Sequence, residues 1–358
     1  MKKIFMMIFI LSSVFLLAGE HGMYLLTNQN VKGNISDISR QISEKLSTEN
    51  YQVFFADKIA TPDIIRKDEN KKCGFKAGLI IFSSDDYVKK ITSYGNKYLT
   101  AAFLRIGFYE NEDGIQIIIS DPETVNRIIF NDLPDKKYEE IISFSQKYKT
   151  NILELLHSMN LGKNIEETRK PIRSDKDLRK AAKDMMMMVG PMTFFKNEDQ
   201  FKEIYSQESK NGKVDLQNLC HDIRNNIKNF SPAEEDKKYY FFQSAENLKW
   251  KVVGEIWSPD STSVLLGILR DRTTALSFHI AGMKRETENN KCPGIDHVCA
   301  YPIEVLISLQ NGKIIVQTPR EMFRMDMYFW DAGKWAFMKF MNMPKMLDNS
   351  IYRALFGK

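Results

Sequence analysis

The chain of 358 residues is poor in the residues that define several special classes of protein. Its 11 prolines and 18 glycines are too few for a collagen-like or low-complexity chain. A mean hydropathy of -0.36 excludes a protein with several membrane spans. Hydrophobic residues make up 43% of the chain and charged residues 27%, which is typical of a folded globular protein. The length predicts about two domains.

The sequence also lacks the short motifs that carry common enzyme chemistry. It contains no glycine-rich nucleotide-binding loop, no H-E-x-x-H zinc motif and no G-x-S-x-G nucleophile turn. No carboxylate lies alone in an apolar run, where burial would tune its pKa for acid–base work. The sequence therefore favours a binding protein over an enzyme of a common type.

Charge is nearly balanced along the chain, with 51 lysines and arginines against 46 acidic residues. The formal net charge is +5, and the two signs are interspersed as on a solvated surface. A nucleic-acid-binding protein needs a clustered basic face. We therefore expect no nucleic-acid partner.

The N-terminus has the pattern of an export signal. Lys2 and Lys3 precede an apolar stretch over 4–18 that is interrupted by two serines. A membrane-spanning helix needs about 20 apolar residues, so this shorter stretch favours a signal peptide over 1–19, cleaved just before Glu20. An uncleaved N-terminal anchor is the alternative. We expect an exported protein of the periplasm or cell envelope.

Four cysteines are present, and an even number in an exported chain permits disulfide bonds. Cys292 and Cys299 flank a short loop that a disulfide can close without long-range folding, so they form the first predicted pair. Cys73 and Cys220 form a second bridge or remain free thiols. A redox or metal role for the local pair is the alternative, although its spacing matches neither C-x-x-C nor a zinc pattern.

Apolar periodicity predicts a sheet covered by helices on one face over residues 31–133, in the order αβαβαββα. Similar signals return over 240–346. Residues 51–53 match 250–252, and further matched pairs are Phe82 with Phe278, Gly114 with Gly312, and Pro122 with Pro319. We therefore predict an α+β protein with two similar two-layer α/β modules. A helical connector over 134–239 joins them, and a tail over 347–358 follows.

The residues around the two hairpin turns carry a resemblance to a known family. Each module has a turn (Asp113-Gly114, Asn311-Gly312), then a proline (Pro122, Pro319) that opens a helix. In this pattern the chain resembles the bacterial family called domain of unknown function 302, over about 31–132 and 240–346. The resemblance implies a compact two-layer α/β domain, common in exported bacterial proteins, with no settled activity.

Members of that family often carry a Cys-Asn-Pro-like motif after the second strand. At this point the chain has residues 82–84 (Phe-Ser-Ser) and 278–280 (Phe-His-Ile), so a thiol-dependent role is not expected. Strand ends that face helix starts are places where α/β sheets bind ligands. Ser83, Ser84 and His279 are therefore the candidate ligand-binding residues, with a surface or structural histidine as the alternative for His279.

Methionine is abundant, with 18 residues, and two groups share the pattern M-x-x-M-x-M. These candidate metal ligands are Met322, Met325, Met327, Met338, Met341 and Met343. Thioether sulfur suits Cu(I), so the groups and His279 predict copper or haem handling as an alternative function. The competing interpretation, which the interleaved Phe and Trp residues favour, is that the methionines fill a core.

The segment 330–346 mixes Trp and Phe with three lysines, so peripheral contact with a membrane surface is an open alternative there. A core or partner-binding helix fits the low number of lysines better. The leading hypothesis is a non-enzymatic envelope protein that binds a small molecule or another envelope protein.

Overall fold

The computed structural model describes residues 19–66, 68–179, 200–238, 246–281, 292, 294–329 and 343–357. The strands are β1 Glu20–Gly22, β2 Tyr24–Val31, β3 Gln52–Ile59, β4 Lys76–Ser83, β5 Leu104–Asn111, β6 Gly114–Ser120, β7 Lys163–Thr168, β8 Ile172–Ser174, β9 Phe201–Glu208, β10 Lys251–Trp257, β11 Ser263–Leu269, β12 Ile303–Gln310 and β13 Lys313–Pro319.

The helices are α1 Ile35–Thr48, α2 Asp85–Thr92, α3 Pro122–Ile129, α4 Asp135–Ser158, α5 Asp175–Arg179, α6 Lys213–Lys228, α7 Glu234–Lys238, α8 Asp271–Ala281, α9 Glu321–Tyr328 and α10 Met343–Phe356. Short 3-10 segments include Pro62–Ile64, Asn96–Ala101 and Ile295–Ala300. None of the helices in these described ranges is long and apolar enough to cross a membrane.

Two antiparallel sheets organise the molecule. The first has the order β3-β4-β5-β6-β2-β7 and the second the order β10-β11-β12-β13-β9, while β1 and β8 form a small separate ribbon. When the strands β2–β6 and the strands β9–β13 are each numbered from one to five along the chain, both sets have the spatial order 2-3-4-5-1. The prediction of an α+β fold is confirmed.

The sheets contain strands that the sequence did not indicate. The first sheet begins before residue 31, with β2, whose pairing with β6 is interrupted by irregular register at Asn28. The predicted connector over 134–239 contains β7, β8 and β9, and β9 completes the second sheet by pairing with β13. The second helix of the predicted order αβαβαββα is, at Pro62–Ile64, a single 3-10 turn. Irregular and edge strands lack clean alternation of apolar residues, which explains why the sequence pattern missed them.

Helices cover the outer face of each sheet. In α1, the apolar stripe of Ile35, Ile38, Ile42 and Leu46 is buried, and the helix packs on β3 and β4. Asn34 caps this helix by accepting a hydrogen bond from the backbone of Asp37 at 3.0 Å. In the second sheet α6 packs on β10 and β12 in a similar way.

The inner faces of the sheets pack against each other through the 3-10 segments. Asn96–Ala101 contacts β11 and β12, and Ile295–Ala300 contacts β4, β5 and β6. Two glycines make this approach possible. A Cβ atom at Gly107 would lie 2.6 Å from the sulfur of Cys299, and one at Gly267 would lie 3.0 Å from the ring of Phe103. Side chains at these positions would therefore push the sheets apart.

A charged cluster is buried where the sheets meet. Arg105 on β5 forms an ion pair with Glu304 on β12, and its Nε donates to the carbonyl of Tyr301 at 2.9 Å. The second oxygen of Glu304 accepts from Arg324 on α9 at 2.7 Å. Arg105 and Glu304 are 1% and 2% exposed, so this buried carboxylate compensates two guanidinium groups.

The disulfide joins Cys73 to Cys292, so the predicted Cys292–Cys299 pair is wrong. Cys73 precedes β4, and its Cα lies 5.7 Å from that of Cys292. Cys299 is a free thiol, fully buried beside Gly107 between the sheets, and Cys220 is a free buried thiol on α6. A partner 219 residues away cannot be found from local spacing.

The cysteine arrangement makes a direct prediction. Denatured but unreduced protein should react with two equivalents of a thiol reagent, from Cys220 and Cys299, and reduced protein with four. Peptide mapping by mass spectrometry should link the peptides of Cys73 and Cys292. A Cys299→Ser variant should keep that link and lose one reactive thiol. A peptide joining Cys292 to Cys299 would contradict the assignment.

The buried cluster makes a second prediction. Glu304→Gln should lower the free energy of unfolding by about 3–5 kcal/mol, because it leaves Arg105 and Arg324 buried without a carboxylate. The matched control is Glu110→Gln, since Glu110 pairs with Lys76 at 2.9 Å on the surface. That change should cost no more than about 1 kcal/mol. Denaturant unfolding curves measure both values, and equal costs would refute the role of the buried pair.

Candidate functional site

The first candidate site is a groove where β4 ends and α2 begins. Ser84 caps α2, because its Oγ accepts a hydrogen bond from the backbone of Tyr87 at 3.3 Å. The same Oγ lies 3.0 Å from the hydroxyl of Tyr148 on α4. Ser84 lines the groove, whose volume is about 790 Å³. Ser83 is the last residue of β4 and is buried, and its Oγ has no hydrogen-bond partner among the described residues.

Aromatic rings form one wall of the groove. Tyr51, Phe144 and Tyr148 line it, with ring centres 4.8 Å apart for Phe144 and Tyr148 and 6.4 Å apart for Tyr51 and Tyr148. Burial raises the pKa of Tyr51 to about 12 and also raises the pKa of Tyr148. Both phenols therefore stay protonated near neutral pH and can donate hydrogen bonds.

The charges around the groove are balanced. Three carboxylates and three ammonium groups line it, together with the side-chain amides of Asn50 and Asn151; the charged residues are Glu49, Asp85, Asp86, Lys89, Lys90 and Lys147. Lys90 is paired with Glu140 of α4. The groove therefore offers both donors and acceptors without a strong field of one sign.

The second candidate site lies at the corresponding place in the second sheet. Arg270 follows β11 as Ser84 follows β4, and α8 begins at the next residue. The cavity there has a volume of about 30 Å³. It lies between α7, α8 and α10, and its lining is Asp236, Arg270, Arg272, Thr273, Leu276, Met346 and Leu347.

Burial perturbs the two arginines of this cavity. Arg270 and Arg272 are 7% and 4% exposed. Removal from water lowers the pKa of Arg270 to about 9 and that of Arg272 to about 10, although the nearby carboxylate of Asp236 acts in the opposite direction. Both guanidinium groups remain charged at neutral pH.

The predicted position of His279 is wrong. The match of Phe278 with Phe82 puts His279 at the end of a strand, but β11 ends at Leu269 and His279 lies inside α8. Five polar residues, 270–274, separate the apolar run of β11 from the first apolar residue of α8, and the match of Phe278 with Phe82 overlooks them. The acid at the first helical position, Asp271, is the signal that marks the true helix start.

The candidate metal ligands are spread over two helices and beyond. The helix α9 contains Met322, Met325 and Met327, and α10 begins at Met343. The described residues do not include Met338 and Met341, nor most of the segment 330–346. Met327 is 2% exposed within the core. Among the described residues no group of three His, Cys, Asp or Glu side chains is arranged to hold a metal ion. Copper or haem handling stays a prediction.

One ionic cluster was not foreseen from the sequence. His21 of β1 lies 2.7 Å from Asp175 of α5, and Arg127 of α3 contacts both Asp175 and Glu123. Burial alone would raise the pKa of Glu123, but hydrogen bonds from Arg127 and Gln146 hold it below its ordinary value. His21, Arg127 and Asp175 are far apart in sequence, and their mutual pairing fits a structural attachment of β1 to the helices.

Comparison with known proteins gives little similarity. No protein-family model matches the chain, and no curated protein is significantly similar to it. The structure is similar to the crystal structure of the uncharacterized conserved protein DUF302 from Bacillus stearothermophilus, with a TM-score of 0.29 and 10% sequence identity. The match covers 37% of this chain and 97% of that chain. A similarity of this size carries no statement about function.

Proposed function

We propose that this chain is an exported protein of the cell envelope that binds a small neutral or zwitterionic molecule without transforming it. The binding site is the groove at Ser84. The observation that carries this proposal is the size and lining of the groove, about 790 Å³ with aromatic, amide and balanced charged side chains. Small-molecule sites in proteins commonly have volumes of about 300–1,000 Å³ and combine apolar surface with a few polar groups.

The lining indicates the kind of ligand. The rings of Tyr51, Phe144 and Tyr148 offer an apolar face for a ring or aliphatic surface. The amides of Asn50 and Asn151 each offer a donor and an acceptor. Because carboxylates and ammonium groups are equal in number around the groove, a strongly anionic or cationic ligand has no electrostatic advantage there.

Export is supported by two features. The first is the basic and apolar leader over 1–19. The second is the Cys73–Cys292 disulfide, because structural disulfides persist in oxidising compartments outside the cytosol.

The proposal includes an origin by duplication, with two copies of one unit of the type that the family resemblance implies. The same strand positions in both sheets support it. Arg105 and Glu304, 199 residues apart, are each the second residue of the fourth strand of their unit and meet where the sheets pack. Such a contact between equivalent positions is expected for two units related by an approximate two-fold axis.

The groove can be tested by blocking it. Thermal unfolding is measured with neutral disaccharides, zwitterionic dipeptides, succinate and putrescine. A neutral or zwitterionic compound should raise the melting temperature of the protein in a saturable way. Asn151→Trp, which places a large ring in the groove, should weaken the apparent affinity by about tenfold or more.

The control is Thr150→Trp, because Thr150 is an exposed neighbour on α4 that does not line the groove. It should leave the affinity unchanged. Stabilisation by succinate or putrescine alone, by none of the compounds, or to an equal degree in both tryptophan variants would refute the proposed site.

Export makes a separate prediction. Intact-mass measurement on protein produced in a bacterium with its own leader should show a chain that begins at or next to Glu20. The matched control is a Phe9→Arg variant, whose charge interrupts the apolar part of the leader and should leave the full-length chain in the cell. A wild-type protein that retains Met1 would contradict cleavage.

A further inference from the structure

The main-chain nitrogen of Gly19 contacts the ionic cluster that attaches β1 to the helices. Its N–H donates to Oδ2 of Asp175 at 3.1 Å. The other oxygen of Asp175, Oδ1, lies 2.7 Å from Nε2 of His21 and 2.7 Å from Nη1 of Arg127. The two oxygens thus have different partners, because Oδ1 contacts side chains and Oδ2 contacts the main chain at the end of the leader.

The ribbon of β1 and β8 holds this nitrogen in place. Glu20 is paired with Ser174 and His21 with Arg173 in antiparallel register. The same register, continued by one residue, puts Gly19 opposite Asp175, where α5 begins. The contact between Gly19 and Asp175 is therefore part of the folded structure of the ribbon.

The space at Gly19 is too small for a side chain. A Cβ atom at this position would lie 2.7 Å from Nε2 of His21 and 3.0 Å from Oδ2 of Asp175. A side chain would therefore push both groups away from the main-chain nitrogen. Glycine at this position permits the close approach of Asp175.

The contacts of this cluster join more carboxylates than permanent cations. The charged residues are Asp121, Glu123, Arg127, Lys149 and Asp175, and Arg127 bridges Glu123 and Asp175 while Lys149 lies 2.6 Å from Asp121 and 3.8 Å from Glu123. His21 is charged only when it is protonated. One further cation at Gly19 would make the two signs equal in number.

The leader offers two bonds for cleavage. Leader peptidases need a small residue directly before the bond that they cut, and both Ala18 and Gly19 are small. Cleavage after Gly19, as the sequence leads us to expect, would remove the nitrogen that contacts Asp175. Cleavage after Ala18 keeps this nitrogen and makes it the first atom of the mature chain.

We propose that the leader is cut between Ala18 and Gly19 and that the new terminus forms an ion pair with Asp175. A leader peptidase adds one water across the peptide bond, so Ala18 leaves as a carboxylate and the nitrogen of Gly19 becomes an α-ammonium group. The hydrogen bond to Oδ2 then becomes charge-assisted and stronger. This inference rests on the proposed export, to which it adds the bond that is cut and the group that receives the terminus.

The first test is the intact mass of the protein exported with its own leader. The mass should be that of a chain that begins at Gly19. A chain that begins at Glu20 or later would overturn this inference and leave export standing. A chain that retains Met1 would overturn export as well.

The second test follows the reaction of the α-amino group with an amine reagent as a function of pH, measured on the N-terminal peptide by mass spectrometry. Only the uncharged amine reacts, and a nearby carboxylate favours the charged form. Asp175→Asn should therefore react faster than the wild type at pH 7, by about threefold or more, and its rate should rise at lower pH. Asp113→Asn, which removes the same charge from an exposed hairpin turn that accepts asparagine, should match the wild type.

A chain with one extra glycine inserted between Ala18 and Gly19 extends the test if Asp175→Asn does not fold. The insertion leaves Asp175 unchanged but moves the terminus one residue away from it, so this chain should react as Asp175→Asn does. Equal midpoints of the rate–pH curve in the wild type and in both altered chains would overturn the ion pair. A difference confined to the maximal rate would also overturn it, because it would report access of the reagent and not charge.

Discussion

The structure depends on the packing of two sheets across a buried carboxylate. Glu304 of the second sheet lies between Arg105 of the first sheet and Arg324 of α9, and all three side chains are almost completely buried. Charges in such a place are compensated only when distances and directions are close to ideal, because the loss of hydration is large. The cluster therefore constrains how β5 lies relative to β12. Under the proposed duplication, Arg105 and Glu304 descend from one ancestral residue. Their opposite charges favour pairing of the two different sheets over pairing of two identical sheets, which would bring like charges together.

The packing of the inner faces also determines where ligands can bind. Gly107 and Gly267 let the 3-10 segments of each unit approach the opposite sheet, so the inner faces have little space left. The outer faces carry α1 and α6. Both candidate sites lie at the edge of this packing, where β4 passes into α2 and β11 passes into α8. The groove and the cavity are thus consequences of the same architecture.

The sequence predicted local features well and long-range ones poorly. Asp121 and Pro122 begin α3 as expected, because capping and proline geometry act within one turn. The turn at Gly312 has the positive φ that a tight hairpin needs. By contrast, β9 is an edge strand of mixed burial and the cysteine partners are 219 residues apart, so neither leaves a local signal. The start of α8 has a local signal in Asp271, which the match of Phe278 with Phe82 overlooks. The groove was located through Ser84, but the arginine cavity was missed, because its lining comes from three separate helices.

The two sites differ in chemistry although they occupy corresponding places. Ser84 lines an open groove of balanced charge, whereas Arg270 lies in a small cavity lined by two arginines and one carboxylate. The parts of the chain that carry the two sites are nevertheless in contact, because α8 packs on Pro62–Ile64. The disulfide between Cys73 and Cys292 links the segments that follow Pro62–Ile64 and α8. Neither sheet can unfold without exposing the inner face of the other, so unfolding of one sheet destabilises the other.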